Sequence, residues 1–357
     1  MQFQNILITG GAGFLGSRLA IHLRNCYPNI NITALDNLKR RGSEYNFQDL
    51  KRSGVVFIHG DVRNPEDLQA INPYDLIIDC CAEPSVLAGV ADHPLGVINS
   101  NLLGTINTLE LARQFGSRFL FISTSRVYDY KILNSLQLHS NKTRFTLDAG
   151  QQISGISSAG LSEDFPLGKY RSLYGATKLC SELLLLEYMA AYNLKGIINR
   201  FGVIAGPHQM GKSDQGIAVF WMARHVFQDT PLTYIGYGGS GLQVRDFLHI
   251  DDACVAIETQ LKHFDKLNDN IFNIGGGAEI SASLQELTAL CQKISGNSVT
   301  IHKSQPDRPN DIPWYISDTE LFRQATDWKP TKDMSSILVD IHEWLQNNKG
   351  ILREILQ

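Results

Sequence analysis

The feature that most restricts this chain is a glycine-rich turn set between an apolar strand and a helix. Asn5–Thr9 is a short apolar run, and Thr9-Gly10-Gly11-Ala12-Gly13-Phe14-Leu15-Gly16 follows it directly. Ser17–Cys26 then carries apolar residues at helical spacing. In that setting Gly11-x-Gly13-x-x-Gly16 permits a tight turn and lets backbone come close to a pyrophosphate. The N-terminus of the following helix offers unpaired N–H groups and a positive dipole end to such an anion. Asp36 lies twenty residues beyond Gly16, at the end of the next apolar run. A carboxylate there can accept hydrogen bonds from an adenosine ribose and repel a 2′-phosphate, which favours NAD over NADP. Lys39, Arg40 and Arg41 pull the other way. A strand–turn–helix that binds nothing is the alternative reading of these residues.

Apolar runs continue to alternate with helical patterns. Asn31–Asp36, Val55–His59, Leu76–Cys80, Phe119–Ser123 and Gly196–Arg200 read as strands, and Pro65–Ala70 and Leu102–Phe115 as helices between them. Strands that are apolar on both faces, joined by helical crossovers, predict an α/β fold: a Rossmann doubly wound parallel sheet. Residues 1–198 are expected to form this domain, interrupted by a polar insertion at about 130–169. A stretch of that length without structure is uncommon inside a domain and is either a functional or a disordered segment. Residues 199–357 read as a smaller C-terminal α/β substrate lobe, some of whose segments return to the first domain. Its elements include a helix near Gly216–Phe227, a strand-like Ile271–Ile274, and helices near Leu284–Ile294 and Ser335–Asn347.

Charge and cysteine usage exclude several function classes. A formal net charge of −4 without a block of like charges gives no electrostatic reason to bind nucleic acid or an anionic membrane. The six cysteines contain no Cys-x-x-Cys, and most lie in apolar runs that suit buried free thiols, so neither a disulfide framework nor a metal site is expected. The ten histidines suggest no ligand pair. Phe3–Thr9 reads as a buried strand, leaving no room for a signal peptide, and no apolar run reaches the length of a bilayer; a cytoplasmic location is the expectation.

Tyr174-Gly175-Ala176-Thr177-Lys178 opens a helical run through Tyr192. Residues four apart share a helix face, so Tyr174 and Lys178 project together. A phenol loses its proton near pH ~10, and a neighbouring cation favours the phenolate, which makes a general base usable near neutrality. Tyr170 precedes Tyr174 by four residues but has no lysine at its own fourth position.

With this pair, the chain resembles an extended short-chain dehydrogenase/reductase, specifically a nucleotide-sugar epimerase or dehydratase, over nearly its whole length. The family's Ser/Thr-rich run before Val-Tyr is matched by Ile122-Ser123-Thr124-Ser125-Arg126-Val127-Tyr128. The resemblance makes Thr124, Tyr174 and Lys178 the catalytic residues, with Ser123 and Ser125 as the nearest alternatives to Thr124. It places NAD against Gly10, Gly13, Phe14, Leu15, Gly16, Asp36, Asn37, Asp61, Val62, Ala82 and Asn101, together with Tyr174 and Lys178. For Asp61 a helix N-cap role is an equal alternative. The 4,6-dehydratases of the family carry an acid pair directly after the catalytic threonine, whereas this chain has Ser125-Arg126, which points to epimerisation. Gly211–Gly216, Gly236–Gly241 and Gln243–His249 are similar to the CDP-paratose (CDP-tyvelose) 2-epimerases, which implies a nucleotide-sugar substrate held at Thr124, Arg245 and Arg308. A salt bridge to Asp246 or Asp252 is the alternative role for Arg245. Val203 stands where many such epimerases carry a substrate-contacting Asn. The family also implies a homodimer built on helices that include the Tyr174-bearing one.

Overall fold

In the computed structural model, which describes residues 1–69, 71–90, 93–305 and 308–356, the apolar runs become one seven-stranded sheet. Its members are β1 (Asn5–Thr9), β2 (Asn31–Asp36), β3 (Val56–His59), β4 (Leu76–Asp79), β5 (Arg118–Thr124), and the strands Gly196–Phe201 and Asn270–Ile274. From one edge to the other the order is Asn270–Ile274, Gly196–Phe201, β5, β4, β1, β2, β3. β1 pairs in parallel with both β2 and β4, β2 with β3, and β4 with β5. Helices cover both faces, and Leu7, Ile8, Ile77, Ile78, Leu120 and Phe121 are sealed from solvent. After β3 the chain crosses back over β1 to start β4. Ligands of doubly wound sheets bind beyond the carboxyl ends of the strands at such a reversal, and the glycine-rich turn leaves β1 there.

Two helices differ from the sequence pattern in an informative way. The first, α1, runs Phe14–Cys26 and starts three residues earlier than its apolar periodicity, because Gly13 takes the extended conformation (φ −68°, ψ 173°) that opens a helix. The second is preceded by a helical turn Leu95–Ile98 and a π-helical turn Asn99–Leu103 before Gly104–Phe115. A π turn inserts one extra residue, which breaks the 3.6-residue period that sequence reading depends on. The short helix after β3 spans Pro65–Gln69, with Ala70 lying outside the described residues.

The chain divides into two units, one of Met1–Val127, Ser172–Arg200 and Cys254–Phe272, the other of Tyr128–Arg171, Phe201–Ala253 and Asn273–Gln357. In the second unit the strand Val244–His249 runs parallel to Val203–Ala205 and Trp314–Tyr315 and antiparallel to Ser281–Ser283. The helices Ile217–Phe227, Leu284–Ser295 and Met334–Asn347 pack together. The polar stretch 130–169 is structured. Asp129 caps the helix Tyr130–Asn134 and also accepts the Lys169 and Tyr170 amides, and two short hairpins follow. Arg144 reaches both oxygens of Glu286, the capping-box residue of Leu284–Ser295, at 2.9 Å. Charged anchors of this kind are invisible to hydrophobic periodicity. Of the six free cysteines, Cys26 and Cys180 are exposed, against the expectation of burial, while Cys254 and Cys291 are buried. Among the described residues no helix is long and apolar enough to cross a membrane.

A buried ion pair ties the Tyr174-bearing helix, Leu173–Tyr192, to the sheet. Glu182 accepts from Arg200 at 2.7 Å and from Ser123 Oγ at 2.5 Å, and both charged side chains are almost fully buried. Removing one partner of such a pair leaves the other charged and unpaired, at a cost of about 3–5 kcal/mol. Glu182→Ala is therefore expected to lower the urea midpoint by that equivalent, and a change under about 1 kcal/mol would show the pair to be dispensable. Asp246 supplies a pH signature in the second unit. Burial pushes its carboxyl from 3.8 up to about 6. The folded chain thus keeps this proton to higher pH than the unfolded chain does. Its contribution to stability is full below about pH 4 and lost as pH rises through about 6. Asp246→Asn should flatten the fall in denaturation midpoint across that range.

Candidate active site

The turn after β1 is glycine-rich because its backbone touches both neighbouring strands. Gly10 has φ +61°, and a Cβ there would lie 2.8 Å from the Cys80 carbonyl oxygen at the end of β4. A Cβ on Gly11 would lie 2.5 Å from that of Ala34 on β2, and one on Gly16 would lie 2.3 Å from the Gly10 oxygen. Gly13, at the helix start, has no side chain to cap α1, so the first-turn amides of Phe14 and Leu15 are not claimed by a capping side chain. Asp36 accepts the amides of Ala12 at 3.0 Å and Leu38 at 2.8 Å, which locks the turn to the end of β2. Burial raises its carboxyl, and these backbone donors act against that rise. A carboxylate has about four lone-pair sites, so two backbone donors leave capacity for ribose hydroxyls. An uncapped helix start, a Cβ-free turn and a carboxylate at the end of β2 are the donor set that a dinucleotide needs.

The residues beyond β2 and β3 are more committed internally. Asn37 donates to Asp61 at 2.9 Å, and the Arg63 guanidinium on the same carboxylate holds Asp61 well below the usual carboxylate range. The Asp61 carboxylate is taken up by Asn37 and Arg63 and by no amide of the helix Pro65–Gln69, while the Asp61 amide donates to Asp67 of that helix. The Val62 side chain is in the core, and its carbonyl accepts from Asn107. Ala82, half-buried, packs with the cluster of Ala88, Val97 and Tyr174.

Asn101 sits in the π turn and is fully buried. Its oxygen accepts the Glu83 amide at 2.7 Å, while its amide donates to the Glu83 carbonyl at 3.2 Å and to Thr177 Oγ1 at 3.1 Å. One side chain therefore fixes the segment after β4 against the Tyr174-bearing helix. Sequence resemblance identifies Asn101 as a cleft residue; the structure shows it as the stitch between two walls.

Ser172 caps the helix start through the Gly175 amide, placing Tyr174 in the first turn and buried. Thr124, the last residue of β5, accepts the Arg126 amide at 3.2 Å. Burial raises the Tyr174 phenol above its ordinary value, and Thr124 and then Arg126 act against that rise. The expectation that Lys178 lowers it directly is not met in this arrangement. Lys178 shares the helix face, but its Nζ donates to the Ile122 carbonyl at 2.7 Å and lies 4.4 Å over the Phe121 ring. Burial lowers the Lys178 pKa, opposed first by Asp79. Ser123 is turned into the Glu182 pair and is not available as an alternative hydroxyl. Glu83, which acts on Tyr174 in the sense opposite to Arg126, is not among the residues that the sequence points to. Its adjacency to Ala82 is the signal that would have found it.

The two arginines belong to the second unit. Arg245 donates to the carbonyls of Val244 and Ile312, each at 2.7 Å, and pairs with Asp311 at 3.1 Å, in place of Asp246 or Asp252. Arg308 donates to the Ser213 carbonyl at 3.0 Å. Val203 begins the strand Val203–Ala205 and is half-buried.

Comparisons with known proteins fit these features. A CDP-paratose 2-epimerase of Salmonella typhi is 30% identical over 95% of this chain and 98% of that relative. The structure of a UDP-glucuronic acid 4-epimerase from Bacillus cereus, in complex with UDP-glucuronic acid and NAD, matches with TM-score 0.78 at 25% identity, covering 96% of this chain and 99% of that one. A double mutant of DesIV, a dTDP-glucose 4,6-dehydratase from Streptomyces venezuelae with NAD bound, matches with TM-score 0.80 at 25% identity, over 98% of this chain and 99% of that one. Residues 6–275 match the model of the NAD dependent epimerase/dehydratase family, and the chain belongs to that family.

Proposed function

We propose that this chain is a nucleotide-sugar epimerase that inverts one sugar carbon by transient oxidation and re-reduction, acting at C2 of a CDP-linked deoxyhexose. What supports the reading is Thr124 at the end of β5 acting on the buried Tyr174 phenol, with Lys178 one turn along and Ser125-Arg126, not two acids, behind the threonine. NAD would be held by Gly10, Gly13, Phe14, Leu15, Gly16, Asp36, Asn37, Asp61, Val62, Ala82 and Asn101, with Tyr174 and Lys178, and supplies the hydride acceptor that also gives the hydride back. Thr124 orients the sugar hydroxyl, and Tyr174 takes that hydroxyl's proton and later returns it. Lys178 belongs to the proposed catalytic set, with its Nζ held on the Ile122 carbonyl of β5. Without an acid pair after Thr124, nothing in that position protonates a leaving hydroxyl, so the oxidised sugar is re-reduced instead of dehydrated. The C2 position and the CDP base rest on the 30% identity to the Salmonella typhi relative and on the Gln243–His249 segment.

Arg245 and Arg308 are assigned to the diphosphate, which suits the fork geometry of guanidinium. Arg245 must exchange Asp311 for the phosphates on binding. The exposed Leu183, 53% accessible on the Tyr174-bearing helix, and the exposed Leu103, 40% accessible, support a homodimer through these helices.

A panel of CDP-, UDP-, GDP- and dTDP-sugars, with product stereochemistry read by NMR, tests the substrate; turnover confined to a UDP- or dTDP-sugar overturns the CDP assignment. In deuterated water the inverted carbon is expected to keep its original hydrogen, and deuterium at that carbon would exclude internal hydride return. Tyr174→Phe should lower kcat by about 10²-fold or more, the usual worth of a general base. Arg245→Ala should raise KM with a smaller change in kcat, and an unchanged KM would remove Arg245 from the diphosphate site.

A further inference from the structure

At the far end of α1 from the glycine-rich turn, three side chains of different ligand chemistry converge. His22 and Cys26 are four residues apart on α1 and so share one face. Glu258, on the helix Ile250–Lys262, meets them from 236 residues away in sequence. His22 Nε2 lies 2.7 Å from Glu258 Oε2 and 3.8 Å from Cys26 Sγ, and all three ligand atoms lie within 4.8 Å of one another. We infer that His22, Cys26 and Glu258 form a binding site for a zinc-like divalent cation, with a fourth position left to water.

The geometry is close to what such an ion requires. With Zn–N and Zn–O near 2.0–2.1 Å and Zn–S near 2.3 Å, tetrahedral coordination separates N from O by about 3.3 Å and N from S by about 3.6 Å. Opening the His22–Glu258 contact by about half an ångström and closing the His22–Cys26 contact by less brings those two pairs into register, while Cys26 Sγ and Glu258 Oε2, within 4.8 Å of each other, must settle to about 3.6 Å. The donor set, one imidazole, one thiolate and one carboxylate, favours zinc over magnesium or calcium, which prefer oxygen alone.

The surroundings are arranged as supports of a metal ligand. Tyr27 donates to Glu258 Oε1 at 2.7 Å, and Lys262 lies 2.7 Å from the same oxygen. Both therefore orient the carboxylate while leaving Oε2 directed at His22. Donors on the distal oxygen fix a ligating carboxylate in the way that outer-shell partners commonly do. Cys26 is exposed, which gives the ion an entry path, and it releases its thiol proton to solvent as the metal–sulfur bond forms. None of these residues belongs to the proposed catalytic or cofactor set.

The test uses the full chain stripped with a chelator and titrated with Co²⁺, followed by Zn²⁺ competition. One equivalent should bind and produce a near-ultraviolet thiolate-to-cobalt absorption band. Cys26→Ser should abolish the band, His22→Ala should weaken binding by about 100-fold, and Tyr27→Phe, a supporting group only, by about 10-fold. Epimerase activity and the folded far-ultraviolet spectrum should be unchanged in Cys26→Ser. Absence of the band in the parent chain, or equal binding by the parent and both ligand variants, would reduce the cluster to a hydrogen-bonded surface patch and overturn the inference.

Discussion

The close approach of one turn to two strands governs this structure. Gly10 lies against the end of β4, Gly11 against Ala34 of β2, and Gly16 against Gly10 itself, at separations where no Cβ fits. Because β1 lies between β2 and β4, the turn that leaves it must pass through the gap that the reversal of strand order creates. Bringing backbone this near to both strands starts α1 directly above the sheet edge, with its amide end facing the gap. Asp36 then fastens the turn to β2 by accepting the Ala12 amide. One steric demand thus fixes the start of α1, the aim of its dipole and the position of the Asp36 carboxylate.

A second layer of order is electrostatic. Lys178, Glu182 and Arg200 are all buried in the same unit, and so is Asp79. Asp79 is itself held by Thr9 and Thr105 hydroxyls at 2.6 and 2.8 Å. Lys178 donates to the Ile122 carbonyl, two residues before Thr124 on β5, and Glu182 binds Ser123 between them. The Thr124 hydroxyl is therefore carried on a strand end whose neighbouring residues are each tied to the helix that carries Tyr174. Preorganisation of this kind requires rigid supports, since misplacing a reacting group by about an ångström costs on the order of 10²-fold in rate.

The parts of this arrangement legible in the sequence are those with a fixed spacing. The strands were readable because residues buried on both faces are apolar without interruption, and the cofactor turn because its glycines recur between a strand and a helix. The Tyr174–Lys178 spacing showed a shared face but not the direction of a four-carbon side chain, which ends on the Ile122 carbonyl. The π turn hid the inward placement of Asn101, since an inserted residue shifts the helical phase. The insertion at 130–169 concealed its order because its anchors are ion pairs such as Arg144–Glu286, with partners 142 residues apart. The same limit applies to Glu258: His22 and Cys26 have readable helical spacing, but the third member comes from another helix.

The turn after Thr124 shows how the fold separates side-chain chemistry from backbone architecture. Thr124 ends β5, and Ser125–Val127 forms a 3₁₀ turn whose Arg126 amide returns to the Thr124 hydroxyl. That backbone bond holds Thr124 whatever side chain position 126 bears. The Arg126 side chain acts on the electrostatics at Tyr174 while its own amide holds the strand end. An acid there would repel the phenolate and offer a proton to a departing hydroxyl, whereas the guanidinium of Arg126 offers no readily transferable proton and favours the phenolate. On the proposed reading, hydride return is distinguished from elimination by the two side chains of this turn, Ser125 and Arg126, while the backbone bond from Arg126 to Thr124 supports the strand end.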